Sequence, residues 1–138
     1  MKSKTIELYI PMAPPSANVI WRRNPNSNKP FFSPTYKKFK DLVAWKCVNL
    51  KMPKDWKYCS VELIVHMKKR IGDIDNRIKP TLDALTRAGF WDDDKCVAEV
   101  HARFGRIDKD GSLLIIVREC LEKFPDNEQK GVWNDKRS

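Results

Sequence analysis

With 138 residues, 41% of them hydrophobic, the chain is long enough for one domain with its own core and too short for several. A formal charge of +9 and a pI near 9.5 point to a polyanionic partner, nucleic acid before any other. No apolar run approaches the roughly 18 residues of a membrane span, and the opening MKSKTIELYI lacks a signal-peptide core, so a cytoplasmic protein with no membrane partner is expected.

Ile6, Leu8 and Ile10 alternate with polar or aromatic neighbours and predict a first strand, ended by Pro11, Pro14 and Pro15. A Pro-, Asn- and Ser-rich loop from Pro14 to Pro30 carries Trp21, Arg22 and Arg23. An aromatic ring flanked by two guanidinium groups suits stacking on an exposed base; the alternative is a Trp21 packed back on the core. Ser33 and Pro34 read as the N-cap and first turn of a helix. Phe39, Leu42, Val43, Cys47 and Leu50 mark its apolar face, with Lys37, Lys38, Lys40, Lys46 and Lys51 on the rest. Between Trp21 and Lys51 there are eight bases and one acid, Asp41, a density able to neutralise several phosphates.

Tyr58 to Met67 predicts a strong strand, with Val61, Leu63, Val65 and Met67 alternating against Glu62, Ile64 and His66. It delivers Lys68, Lys69 and Arg70 ahead of Asp73, like a phosphate track leading to a reaction centre. Gly72 gives the backbone freedom to turn there. From Asp75 the pattern is helical: Ile78, Leu82 and Leu85 form an apolar stripe, while Asp75, Lys79 and Asp83 step by four along another face. Pro80 is expected to kink or tighten the first turn, and Gly89 to stop the helix. Phe90 and Trp91 can then pack down and return Asp92, Asp93 and Asp94 towards the first carboxylates.

Val97 to Phe104 alternates again, with Ala98, Val100, Ala102 and Phe104 on one side. Arg106 to Ser112 reads as a hairpin turn around Asp110-Gly111, and Leu113 to Val117 as a central strand. Leu121 to Phe124 reads as the start of a short helix, and residues 125–138 as a polar tail beyond a domain of residues 1–124. His66 and His101 lie in strand-like runs and read as packing or surface residues. Cys47, Cys59, Cys96 and Cys120 are scattered without a C-x-x-C pair, so reduced thiols are expected and a zinc site is not. The element order predicts a single α+β domain: a mixed β-sheet of about four to five strands packed by two main helices. These patterns do not yield the strand order.

Between residues 73 and 94 six acids face three bases, a local charge of −3, so the remainder of the +9 chain sums to +12. Carboxylates held together repel, and a hard divalent cation, Mg²⁺ or Mn²⁺, resolves the conflict. The bland alternative is a solvent-facing helix followed by an acidic turn.

The segment DIDNRIKPTLDALTRAGFWDDD resembles the motif of the RusA family of Holliday junction resolvases: D-x-D-N, a lysine three residues after the Asn, D-A-L, then G-F-W-x-D-D. The match is unbroken over about 22 residues. Weaker likeness at Pro14, Pro15, Ser16 and Asn18 and over Ser33–Asp41 extends it from about Ile6 to Glu119. The resemblance implies a RusA-like fold and a Mg²⁺-dependent endodeoxyribonuclease, with Mn²⁺ as a possible substitute and no small-molecule cofactor. It would be a homodimer that nicks a four-way DNA junction symmetrically on two opposed strands in recombination and repair, from a bacterial or phage source. It carries catalytic roles onto Asp73, Asp75, Lys79 and Asp94, with Asp73, Asp75 and Asp94 as metal ligands. Asn76, Asp83 and Asp93 match in supporting positions, and Asp92 falls at the variable one. Trp21, Arg22, Arg23, Lys37, Lys38, Lys40, Lys68, Lys69 and Arg70 are the candidate DNA contacts. Family members carry a basic residue directly before the first Asp, whereas here Ile71 and Gly72 separate Arg70 from Asp73.

Competing readings are a non-catalytic branched-DNA-binding module and a metal nuclease acting on other branched or flap DNA. Glu62 and Glu99 are followed two residues on by Ile64 and His101, so neither opens a restriction-type Glu-x-Lys, and no pair of closely linked histidines suggests an HNH site.

Overall fold

A computed structural model of the chain describes residues 4–19, 21–23, 25–27 and 29–125; for Val19, Trp21, Arg22, Arg23 and Phe31 it describes the backbone alone. The polar tail expected over residues 125–138 lies, from residue 126 on, outside the described residues. Among the described residues six strands and two helices follow one another as β1 (Thr5–Ile10), β2 (Trp21–Arg23), β3 (Pro30–Phe32), α1 (Pro34–Lys46), β4 (Tyr58–His66), α2 (Asp75–Arg87), β5 (Val97–Phe104) and β6 (Ser112–Cys120). Short 3₁₀ turns cover Ala17–Val19 and Asp94–Cys96. The expected α+β fold is present: a four-stranded mixed sheet and two helices, with β2 and β3 as a separate antiparallel ribbon, β2 inside the stretch read as a loop and β3 starting at its last residue, Pro30.

The main sheet runs β1-β6-β4-β5, with β6 antiparallel to both β1 and β4, and β5 parallel to β4. Period-two burial explains the pairing: Cys59, Val61, Leu63 and Val65 of β4 and Leu113, Ile115 and Val117 of β6 all face the core. The central position of β6 agrees with its apolar run. The expected hairpin between β5 and β6 does not form, because both strands pair with β4, on opposite sides of it. Residues 105–111 instead cross the end of β4, where Gly105 N–H donates to the Val65 carbonyl and Asp108 N–H to that of Met67. The cause is the parallel β4–α2–β5 unit, which brings β5 out at the same sheet end as β4 and forces the chain across. Phe104, placed on one side of the strand with Ala98, Val100 and Ala102, is 41% exposed at the end of β5, an edge strand. Residues 121–124 form no helix.

At this crossing Gly105 leaves room for the His66 ring. A Cβ there would overlap the His66 ring, whose Nδ1 lies 2.9 Å from the Arg106 carbonyl. Gly105→Ala is therefore expected to destabilise by about 1–3 kcal/mol, as other overpacked sites do. Urea unfolding checks it, and an unchanged midpoint would count against this packing.

Both helices close over the inner face. In α1 the Ser33 hydroxyl accepts from Tyr36 N–H at 3.2 Å, the expected cap, and Tyr36, Phe39 and Val43 are buried. In α2 the buried face is Arg77, Pro80, Thr81, Ala84 and Leu85, turned by about one residue from the expected stripe, so that Ile78 and Leu82 lie at its margin. Two polar groups make the rotation tolerable. The Thr81 hydroxyl donates to the Arg77 carbonyl at 2.9 Å, and the Arg77 guanidinium donates to the Pro14 carbonyl at 2.8 Å. Pro80 sits inside this helix with its ring buried, removing the donor that would have reached the Asn76 carbonyl.

Candidate active site

The rotation of α2 decides what faces solvent. Asp75, the first residue of the helix, and Lys79 are exposed, and Asp83 one turn further is half-buried. Lys79 Nζ lies 3.5 Å from an Asp83 carboxylate oxygen, the expected i, i+4 pair. Asp73 sits just ahead of the helix, exposed, after Gly72 has turned the chain at φ 88°. Asn76 is half-buried on the second position of α2.

The helix ends as expected: Ala88 N–H bonds to Ala84, and Gly89 adopts φ 74°. Phe90 and Trp91 then drop into the core at 1% and 4% exposure, edge to face with centroids 5.3 Å apart. The Trp91 indole N–H donates to the Thr86 hydroxyl at 2.7 Å. These anchors bring Asp93 and Asp94 back beside α2, where they line a cavity of about 340 Å³ with Asp83, Thr86 and Arg87. Asp93 caps the 3₁₀ turn by accepting from Lys95 N–H at 3.2 Å. That bond, before the hydrogen bond from Asp94, holds its carboxyl below the usual range. Asp94 goes the other way. Burial raises its proton affinity most, followed by the hydrogen bond and charge of Asp93 and then the charge of Asp83, against an opposing pull from Lys79. Asp93 is thus the cap of the 3₁₀ turn that begins at Asp94.

Behind this face Tyr36 meets Asp83 and Arg87. Burial first, then the Asp83 charge, raise the proton affinity of the phenol, and Arg87 opposes them. The Arg87 guanidinium and the Lys40 ammonium both lie on the Phe32 ring, 4.7 and 4.5 Å from its centroid.

Asp94, Asp93, Asp83 and Lys79 are thus gathered, while Asp73 and Asp75 stand at the opposite end of the first two turns of α2. As the side chains lie, no three His, Cys, Asp or Glu among the described residues are grouped closely enough to hold a metal ion. The donor chemistry nevertheless fits a hard divalent cation. All the donors are carboxylate oxygens, and Asp94 has carboxylate neighbours that raise its hold on a proton, a conflict such a cation relieves.

Of the candidate DNA contacts, Lys37, Lys38, Lys68, Lys69 and Arg70 are exposed and Lys40 is half-buried on Phe32. The side chains of Trp21, Arg22 and Arg23 lie outside the described residues. One buried base escaped sequence reasoning. Arg77 looks like any other helix-surface arginine in the periodicity, and no local signal marks it as interior.

The family model described as "Endodeoxyribonuclease RusA" matches residues 11–118. Curated relatives named crossover junction endodeoxyribonuclease RusA are similar over 113 residues, covering 77% of this chain and 88% of theirs. That of Escherichia coli is 32% identical, and those of Enterobacteria phage 82 and Shigella sonnei are each 31% identical.

Proposed function

The chain belongs to the RusA family of endodeoxyribonucleases, and on that premise we propose that it is a divalent-metal-dependent nuclease that resolves four-way DNA junctions. It acts as a homodimer, nicking two opposed strands symmetrically in recombination and repair. The observation that carries this reading is the return of Asp94, on the Phe90–Trp91 anchor, to the α2 face that bears Lys79 and Asp83.

Asp73, Asp75 and Asp94 would hold Mg²⁺, with Mn²⁺ as substitute. When bound, the ion supplies an activated water and charge neutralisation at the scissile phosphate. The protein's own groups do the rest. Lys79, shared with Asp83 in the free protein, turns its ammonium to the phosphate or the leaving oxygen as negative charge builds there. Asp93 keeps the turn shaped so that Asp94 stays presented. Trp21, Arg22, Arg23, Lys37, Lys38, Lys40, Lys68, Lys69 and Arg70 bind the DNA arms.

The test is incubation with a synthetic four-way junction and with a linear duplex, each with Mg²⁺ and with chelator. Cleavage of the junction alone, dependent on the metal and yielding paired nicks, is expected. Binding without cleavage in every arm would leave a non-catalytic module. A second expectation concerns salt. If six of the basic residues meet phosphates, junction affinity falls about a thousandfold between roughly 50 and 200 mM salt. A flat response in a filter-binding titration would remove them from the interface.

A further inference from the structure

On the far side of α2 from the acids lies a cation that this reaction leaves unused. Arg77 is 8% exposed, yet among the described residues its guanidinium makes one hydrogen bond, to the Pro14 carbonyl, and no ion pair. Its Nε is buried without a partner. Burying a guanidinium without a counter-charge is costly. The guanidinium also lies against the backbone of Gly72, where an added Cβ would come 2.5 Å from Nη2.

Arg77 lines a cavity of about 450 Å³ between the Pro11–Pro15 segment, the start of α1 and the end of β4. Lys38, Lys68 and Lys69 also line it, so four bases face one acid, Asp110, for a formal charge of +3. The first turn of α1, represented there by Thr35, contains no acid. A guanidinium offers only donors, so its missing partner must be an acceptor, and its planar fork matches phosphate oxygens.

We propose that this cavity is a second phosphate subsite, taking a backbone phosphate of the bound DNA away from the scissile bond, with Arg77 in its wall and Lys38, Lys68 and Lys69 around it. The subsite rests on the nuclease reading for its source of phosphate. Its consequence is positional. Arg77 and Asp75 share the first turn of α2, and Gly72 leads directly into Asp73. A phosphate held by Arg77 therefore sets the register of the strand relative to the acids.

The test uses the full ¹⁵N-labelled chain, with the Arg77 Nε–H resonance identified by its disappearance in Arg77→Lys. A four-way junction added in chelator is expected to shift that resonance together with the Gly72 and Gly111 amides. Inorganic phosphate, the free source of the same chemistry, is expected to shift them only at millimolar concentration. Lys68→Gln/Lys69→Gln leaves the core untouched and is expected to weaken junction binding at least tenfold, lowering the slope of log affinity against log salt by about two. Junction binding that leaves the Arg77 and Gly72 signals still, or an unchanged salt slope in the double variant, overturns the subsite. If the protein neither binds nor cuts the junction, the nuclease reading has failed. The phosphate titration then decides the cavity alone: signals that do not move overturn it as well.

Discussion

Asp75→Asn is expected to cut junction cleavage by about three orders of magnitude or more while leaving junction binding within a few-fold of the parent. The substitution removes one charge and keeps the side chain's shape. Asp75 is the exposed first residue of α2, so the fold loses only the favourable meeting of a carboxylate with the helix N-terminus, about 0.5 kcal/mol. A ligand for a divalent cation, in contrast, needs the full negative charge. Asp73→Asn and Asp94→Asn should behave alike. Asp92→Asn, at an exposed residue of the same turn, should retain cleavage. Single-turnover cleavage with a parallel gel-shift measurement separates the two quantities. Undiminished cleavage by Asp75→Asn would show that the acids have been assigned the wrong work.

Phe90→Ala should be the most damaging change away from the acids. Phe90 is 1% exposed and stacks edge to face on Trp91. Its backbone N–H bonds to the Leu85 carbonyl, and its carbonyl accepts from Met52 N–H. Truncating a buried aromatic leaves a cavity and forfeits its burial, about 3–5 kcal/mol. That is a large share of the total stability of a domain this size. The loss should also reach the chemistry proposed for Asp94, because Phe90 and Trp91 anchor the turn that carries it. Denaturant unfolding should show the drop. In the fraction that stays folded at low temperature, cleavage should fall more than binding. A variant with near-parental stability and full cleavage would contradict the anchoring role given to this residue.

Much of this was legible beforehand, for identifiable reasons. The cap at Ser33, the stop at Gly89 and the period-two strands depend on short-range sterics and hydrogen bonding, and all appear where expected. The apolar run Leu113–Val117 called for a central strand, and β6 is one. The hairpin between β5 and β6 was wrong because Asp110-Gly111 reports a local turn, not which strand the chain joins after it. The stripe on α2 was displaced because hydrophobic periodicity counts Ile78 and Leu82 as interior and cannot credit a threonine or arginine whose polar group finds a partner.

The sequence by itself determined the kinds of chemistry available: a cluster of carboxylates with a lysine one helical turn on, set in a basic chain, and the family motif that contains them. Tertiary structure alone decided the strand order, the face α2 buries and the enclosure of Arg77. The physical reason is range. A cap or a pleat is settled within a few residues, whereas the Arg77 guanidinium is held by a carbonyl 63 residues earlier in the chain, a contact that only the assembled core brings about.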